Sequence, residues 1–155
     1  MSSNAEDGDA AAGATADGPQ GEGVRSEAEM EELVRLASRC LDMARSGDTA
    51  TLAAYVDAGV PVDLTDGDGS SLLLLAGAAG HADTVVALAE RGADVDRLDD
   101  RGLSPLAAAV LQGRQEVVAV LLLRGADPDR GTPTAREAAE VSGHQDLLQG
   151  VRRDG

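Results

Sequence analysis

Residues 66–98 read DGDGSSLLLLAGAAGHADTVVALAERGADVDRL, and residues 99–131 read DDRGLSPLAAAVLQGRQEVVAVLLLRGADPDRG. Laid over one another, they keep Asp66 on Asp99, Gly69 on Gly102, Gly80 on Gly113, Gly92 on Gly125 and Asp96 on Asp129, at a constant step of 33 residues. The register extends backwards to Gly47, Gly59 and Asp63. Forwards, Thr134 to His144 align on Ser104 to Arg114 with a step of 30, so the loop before that unit is three residues shorter. Three families of glycine in one register mark an internal repeat.

Each unit reads as two short helices. Leu73 and Ala76, or Leu106 and Ala109, mark the first. Val85, Leu88 and Ala89, or Val118, Leu121 and Leu122, mark the second at i, i+3, i+4 spacing, and Leu52, Tyr55 and Val56 supply that face in the unit before. Gly-Ala-Asp-Val-Asp (92–96) and Gly-Ala-Asp-Pro-Asp (125–129) are turn formers between units. Gly92 and Gly125 are expected to end second helices in the left-handed conformation. A helix pair with one apolar face cannot bury it alone, so the pairs must stack.

Ahead of the repeats, Ser26 and Glu29 form a Ser-x-x-Glu capping box. Leu33, Leu36, Cys40, Leu41 and Ala44 follow at helical spacing, which predicts a helix over about residues 27–45 ending at Gly47. Residues 1–25 are nearly all Ala, Gly, Ser, Asp, Glu and Thr, a composition that buries too little to offset the entropy of ordering. They are expected to be a disordered acidic tail, with Glu6, Asp7, Asp9, Asp17 and Glu22 against Arg25.

The chain has 155 residues and a formal charge of −15, and its 13 basic residues are all arginine. Nucleic-acid affinity comes mainly from basic side chains that displace counterions, and single-stranded bases stack on aromatic rings. With one Tyr and neither Trp nor Phe, neither route is open, so nucleic acid is not expected as a partner. One cysteine, Cys40, cannot close an intramolecular disulfide, and the N-terminus lacks the basic start and apolar run of a secretory signal. The apolar run from Leu72 to Ala79 falls far short of the roughly 20 residues of a membrane span. The expectation is a cytoplasmic chain without a membrane partner, monomeric when free.

Little in the sequence points to catalysis. Two histidines, His81 and His144, and one cysteine are too few for a zinc site, and both histidines occupy the turn between paired helices, where a structural role is expected. An EF-hand loop counted from Asp66 would need glycine at its sixth position and glutamate at its twelfth, where Ser71 and Gly77 stand. Without lysine there is no Walker sequence, Gly67-x-Gly69 and Gly77-x-x-Gly80 complete no dinucleotide fingerprint, and there is no Gly-x-Ser-x-Gly elbow. Cys40 lies on the apolar stripe of its helix, as a buried structural thiol does. The carboxylates repeat with the units instead of converging, so no enzyme, cofactor or metal site is expected.

The 33-residue period, the Ser-Pro-Leu-Ala-Ala-Ala run at 104–109, the pairs Gly80-His81 and Gly143-His144 and the Gly-Ala-Asp closures together resemble the ankyrin repeat. The likeness covers about residues 36–150 and is closest over 66–130. It implies an all-α helix-turn-helix solenoid of about four repeats with short hairpin loops, units of about 26–65, 66–98, 99–130 and 131–155. The usual Thr-Pro-Leu-His opening appears as Ser71-Leu72-Leu73-Leu74 and Ser104-Pro105-Leu106-Ala107, without the histidine that ties neighbouring repeats, so apolar packing is expected to compensate. The long capped helix replaces the first opening, and the last unit ends soon after Leu147, Leu148 and Val151, as terminal units do.

The resemblance also implies a non-enzymatic interaction module, a scaffold, inhibitor or stabiliser that binds a partner protein on a concave face of loop tips and first helices. Carried over by position, that face takes Gly67, Asp68, Ser70, Ala78 and Ala79 in one unit and Asp100, Arg101, Leu103, Leu111 and Gln112 in the next. Arg45 and Ser46 precede them, and Val141 and Ser142 follow. Leu103, Leu111 and Val141 with Arg45 and Arg101 have the composition of an interaction hot spot. The alternative is an acidic decoy whose charge occupies a nucleic-acid-binding site on a basic partner; only this one should release readily in salt.

Overall fold

The computed structural model describes residues 26–149, so the expected tail (1–25) and Val151 lie outside the described residues. The chain divides into two units, Met1–Leu36 and Ala37–Gly155. The described residues form seven α-helices and a closing 3-10 turn without a strand, an all-helical repeat fold. The helices are α1 (Glu27–Ser46), α2 (Thr49–Asp57), α3 (Leu72–Ala79), α4 (Ala82–Glu90), α5 (Pro105–Leu111), α6 (Gln115–Leu123) and α7 (Ala135–Ser142), followed by the 3-10 turn Gln145–Leu148.

Hydroxyl caps start the first helix of each later pair. Ser71 Oγ accepts the Leu74 N–H at 3.1 Å, Ser104 Oγ that of Ala107 at 3.0 Å and Thr134 Oγ1 that of Glu137 at 3.1 Å, satisfying donors a helix start leaves free. The capping box expected on α1 is formed: Glu29 donates to Ser26 Oγ at 3.1 Å, and Ser26 donates to Glu29 Oε1 at 2.9 Å. The apolar stripe assigned to α1 is only partly covered, however. Cys40 and Ala44 are buried, but Leu33 is 42% exposed, because no described element of its own unit packs over it.

In the second unit, α3, α5 and α7 stack in one row, and α2, α4, α6 and the 3-10 turn stack in another. In the first row, α5 packs on its pair α6 and on α3 and α7 at either side, α3 on α4 and α5, and α7 on α5 and the 3-10 turn. More of them is therefore buried than one amphipathic face: Leu72 and Leu74 join Leu73 and Ala76 in α3, and Pro105 to Val110 are all buried in α5. Each such leucine contributes roughly 1.5–3 kcal/mol of apolar burial. Alanine and glycine permit the close approach; a Cβ on Gly77 would lie 3.3 Å from Val117 Cγ1 of α6. Leu74 and Ala107, which stand where the family has its histidine, are 3% and 0% exposed.

Apolar packing is not the whole compensation. The polar tie between repeats is made elsewhere, by the residue that follows each turn glycine. His81 Nε2 donates to the Arg45 carbonyl at 2.9 Å, Arg114 Nε to the Ala78 carbonyl at 2.9 Å and His144 Nδ1 to the Val110 carbonyl at 2.7 Å. Each bond reaches back to the end of the first helix of the preceding pair, whose last carbonyls lack helical partners. The turn glycines make room for these side chains. Gly47, Gly80 and Gly113 have φ of 83°, 91° and 68°, and a Cβ on them would lie 2.6 Å from His81 Nδ1, 3.1 Å from Arg114 Cδ and 3.1 Å from His144 Cε1.

Further inter-repeat bonds keep the 33-residue step. Asp63 and Asp96 accept the N–H groups of Asp94 and Asp127 at 3.0 and 2.9 Å, and Arg91 and Arg124 pair with Asp57 and Glu90 at 2.9 and 3.7 Å.

Two substitutions separate strain from crowding. Gly125 has φ 87° with open space around its missing Cβ, so Gly125→Ala should cost about 1 kcal/mol from conformation alone. Gly47→Ala adds the collision with the His81 ring and should cost more. In a double-mutant cycle with His81→Ala, thermal melting should show a coupling of about 0.5–1 kcal/mol between positions 47 and 81. Additive losses would show that the ring and the glycine do not depend on each other.

Candidate partner-binding face

The loop tips before α3 and α5 are organised by one aspartate each. Asp66 Oδ1 accepts the N–H groups of Asp68 and Ser70, both at 2.9 Å, and Asp99 Oδ1 accepts those of Arg101 and Leu103, both at 2.9 Å. The short aspartate side chain bonds the backbone two residues on, the habit that places this residue in turns. The tips are then tied to their neighbours, because Asp100 donates to the Asp68 carbonyl at 3.0 Å and Thr132 to the Gly102 carbonyl at 2.9 Å. The backbone of the tips is therefore held by its own hydrogen bonds.

The second carboxylate oxygen of each organising aspartate holds an arginine. Asp99 Oδ2 takes Nη2 and Nε of Arg101 at 2.7 and 3.1 Å. Asp66 Oδ2 takes Arg45 Nη2 at 3.3 Å, across from the last turn of α1. Asp99 is 6% exposed. Burial pushes its carboxyl up, but the Leu103 N–H and then the Arg101 guanidinium and N–H outweigh it and hold the group below the usual carboxylate range. Arg101 is raised in turn by its hydrogen bond to Asp99, and Asp68 and Asp66 add to the shift.

Side chains nominated from the sequence fall into three groups. Asp68, Asp100, Arg101 and Gln112 are exposed at tips and helix ends, and so is Arg45, which also pairs with Asp42 at 3.1 Å. Leu103 and Leu111 are half-buried, whereas Val141 at the end of α7 is 80% exposed. Ser70 is 5% exposed with its N–H on Asp66, so it supports the tip and offers a partner almost no surface.

In the sequence Asp66 and Asp99 mark the 33-residue register, and Arg114 carries no assigned role. Its signal was present, since Arg114 stands one repeat after His81 and makes the same bond. The Cys40 thiol is buried, and burial raises it above its ordinary range against the smaller opposing effect of Arg39. Among the described residues, no three His, Cys, Asp or Glu side chains are grouped to hold a metal ion, and no helix is long and apolar enough to cross a membrane.

A family model described as ankyrin repeats, in three copies, matches residues 41–132. No curated protein matches the chain.

The lowered Asp99 carboxyl sets a pH dependence with a definite sign. A group held below its ordinary value stabilises the fold at pH above that value, and the contribution is lost as pH falls through the lowered one. Asp99→Asn should therefore destabilise by about 1–3 kcal/mol at neutral pH. The gap to the parent should close below roughly pH 4, as followed by urea unfolding at a series of pH values. A gap independent of pH would assign the effect to shape instead of charge.

Proposed function

The chain belongs to the ankyrin-repeat family, whose members are generally protein–protein interaction modules, and we propose that this one binds a partner protein on its loop tips and first-helix ends. The reading is of a non-enzymatic scaffold, inhibitor or stabiliser, cytoplasmic and monomeric when free, built of units 26–65, 66–98, 99–130 and 131–155. The observation that carries it is Arg101, whose side chain is 69% exposed while two of its nitrogens are anchored on buried Asp99. An exposed arginine held in one geometry loses little further rotamer freedom on binding, which makes it a good anchor. Arg45, Asp68, Asp100, Gln112 and Val141 extend the surface around it, with the half-buried Leu103 and Leu111 as its apolar floor.

The same charge that argues against nucleic acid supports a second reading, the acidic decoy on a basic partner. Surface charge is screened over about 8–10 Å at physiological salt, so a decoy releases as salt rises, whereas a partner held by buried apolar contacts is little affected.

The test places a photo-crosslinking residue at Gln112 on the proposed face, or at Ala119 on the exposed side of α6. Partner adducts should form from position 112 and not from 119. Gln112→Ala with Val141→Ser, both exposed, should lower capture about tenfold with unchanged melting, and Arg101→Ala should lower capture while also costing stability, because it strips buried Asp99 of its ion pair. Adducts from 119 alone would move the interface to the second helices, and loss of capture in moderate salt with the double variant still binding would favour the decoy.

A further inference from the structure

The described residues of the unit Met1–Leu36 are the opening turns of α1, and their surface is not that of an ordinary solvated helix. Met30, Leu33 and Val34 have the i, i+3, i+4 spacing that sets side chains beside one another, and they are 49%, 42% and 62% exposed. Among the described residues, the two other large exposed hydrophobics, Leu123 and Val141, lie on separate helices. Each member of the stripe also has a glutamate three or four positions before it: Glu27 before Met30, Glu29 before Leu33 and Glu31 before Val34. That spacing sets the Glu27 and Glu31 carboxylates beside Met30 and Val34, while the Glu29 carboxylate folds back onto the Ser26 N–H at 2.9 Å. Arg35, the one basic residue among 26–36, is drawn to Glu32 at 2.6 Å.

We infer that this acid-edged apolar stripe docks an amphipathic helix of another protein, one whose own apolar face is bordered by arginine or lysine. Charge selects the occupant. A second copy of the chain would bring its own Glu27, Glu29 and Glu31 to the same stripe, and residues 1–25 carry five acids against Arg25. Either would set like charges together along the edge, which is destabilising, whereas a basic-edged helix answers each glutamate. The inference does not rest on the loop-tip reading.

The probe is a labelled synthetic peptide of about 18 residues, long enough to form helix on the surface, with leucines at i, i+3, i+4 and flanking arginines. Its control has the same composition in an order that destroys the apolar face. Titrated with the full chain and followed by fluorescence anisotropy, the ordered peptide should bind about tenfold more tightly than the shuffled one. Leu33→Gln with Val34→Gln, which keeps helix propensity, should remove that preference with unchanged melting, and Glu27→Gln with Glu31→Gln should weaken the ordered peptide. Equal binding of both peptides would reduce the effect to net charge and overturn the proposal. So would self-association of the parent chain that the Leu33→Gln, Val34→Gln variant abolishes, since the occupant would then be a second copy.

Discussion

The turn glycine of each helix pair and the side chain that covers it form the joint on which the stack depends. A positive φ at Gly47, Gly80 and Gly113 turns the chain sharply from the first helix to the second, and the missing Cβ leaves the space that His81, Arg114 or His144 occupies. A carbonyl in the last turn of the first helix, where i+4 partners run out, is the acceptor. One position thus ends a helix, spaces two repeats and satisfies a polar group at their boundary. Three successive repeats present the same joint, so the interfaces between neighbours add to the stability of each pair.

The loops on the other side follow a similar rule with aspartate in place of glycine. Asp66 and Asp99 each fold their own tip around one carboxylate oxygen and hold an arginine with the other. Asp63 and Asp96 reach instead into the next repeat. Much of the negative charge along the repeats is therefore already committed to backbone N–H groups and arginines. The acidic composition reflects, in part, how an aspartate-built set of loops is assembled.

This division of labour leaves the exposed ends of first helices and the tips free to vary. Val141, Gln112 and Arg101 touch solvent, yet their backbones belong to capped helices or bonded turns. Rigid backbone under variable side chains is the condition in which a surface binds without a large ordering cost.

The sequence by itself determined the repeat, its period, the helix start at Ser26 and the left-handed Gly47, Gly92 and Gly125, because caps and turns are local chemistry that recurs in register. It placed Leu73, Leu106, Val85 and Val118 in the core, since helical periodicity finds one face. Tertiary structure decided the rest. Leu72, Leu74 and Ala107 are buried because first helices are covered on several sides, Ser70 withdraws behind its tip, and Leu33 stays in solvent although its spacing matches that of buried Cys40. Periodicity reports which residues share a side of a helix; whether another element lies over that side depends on contacts between residues distant in sequence, and the roles of Arg114 and Asp99 follow from such contacts.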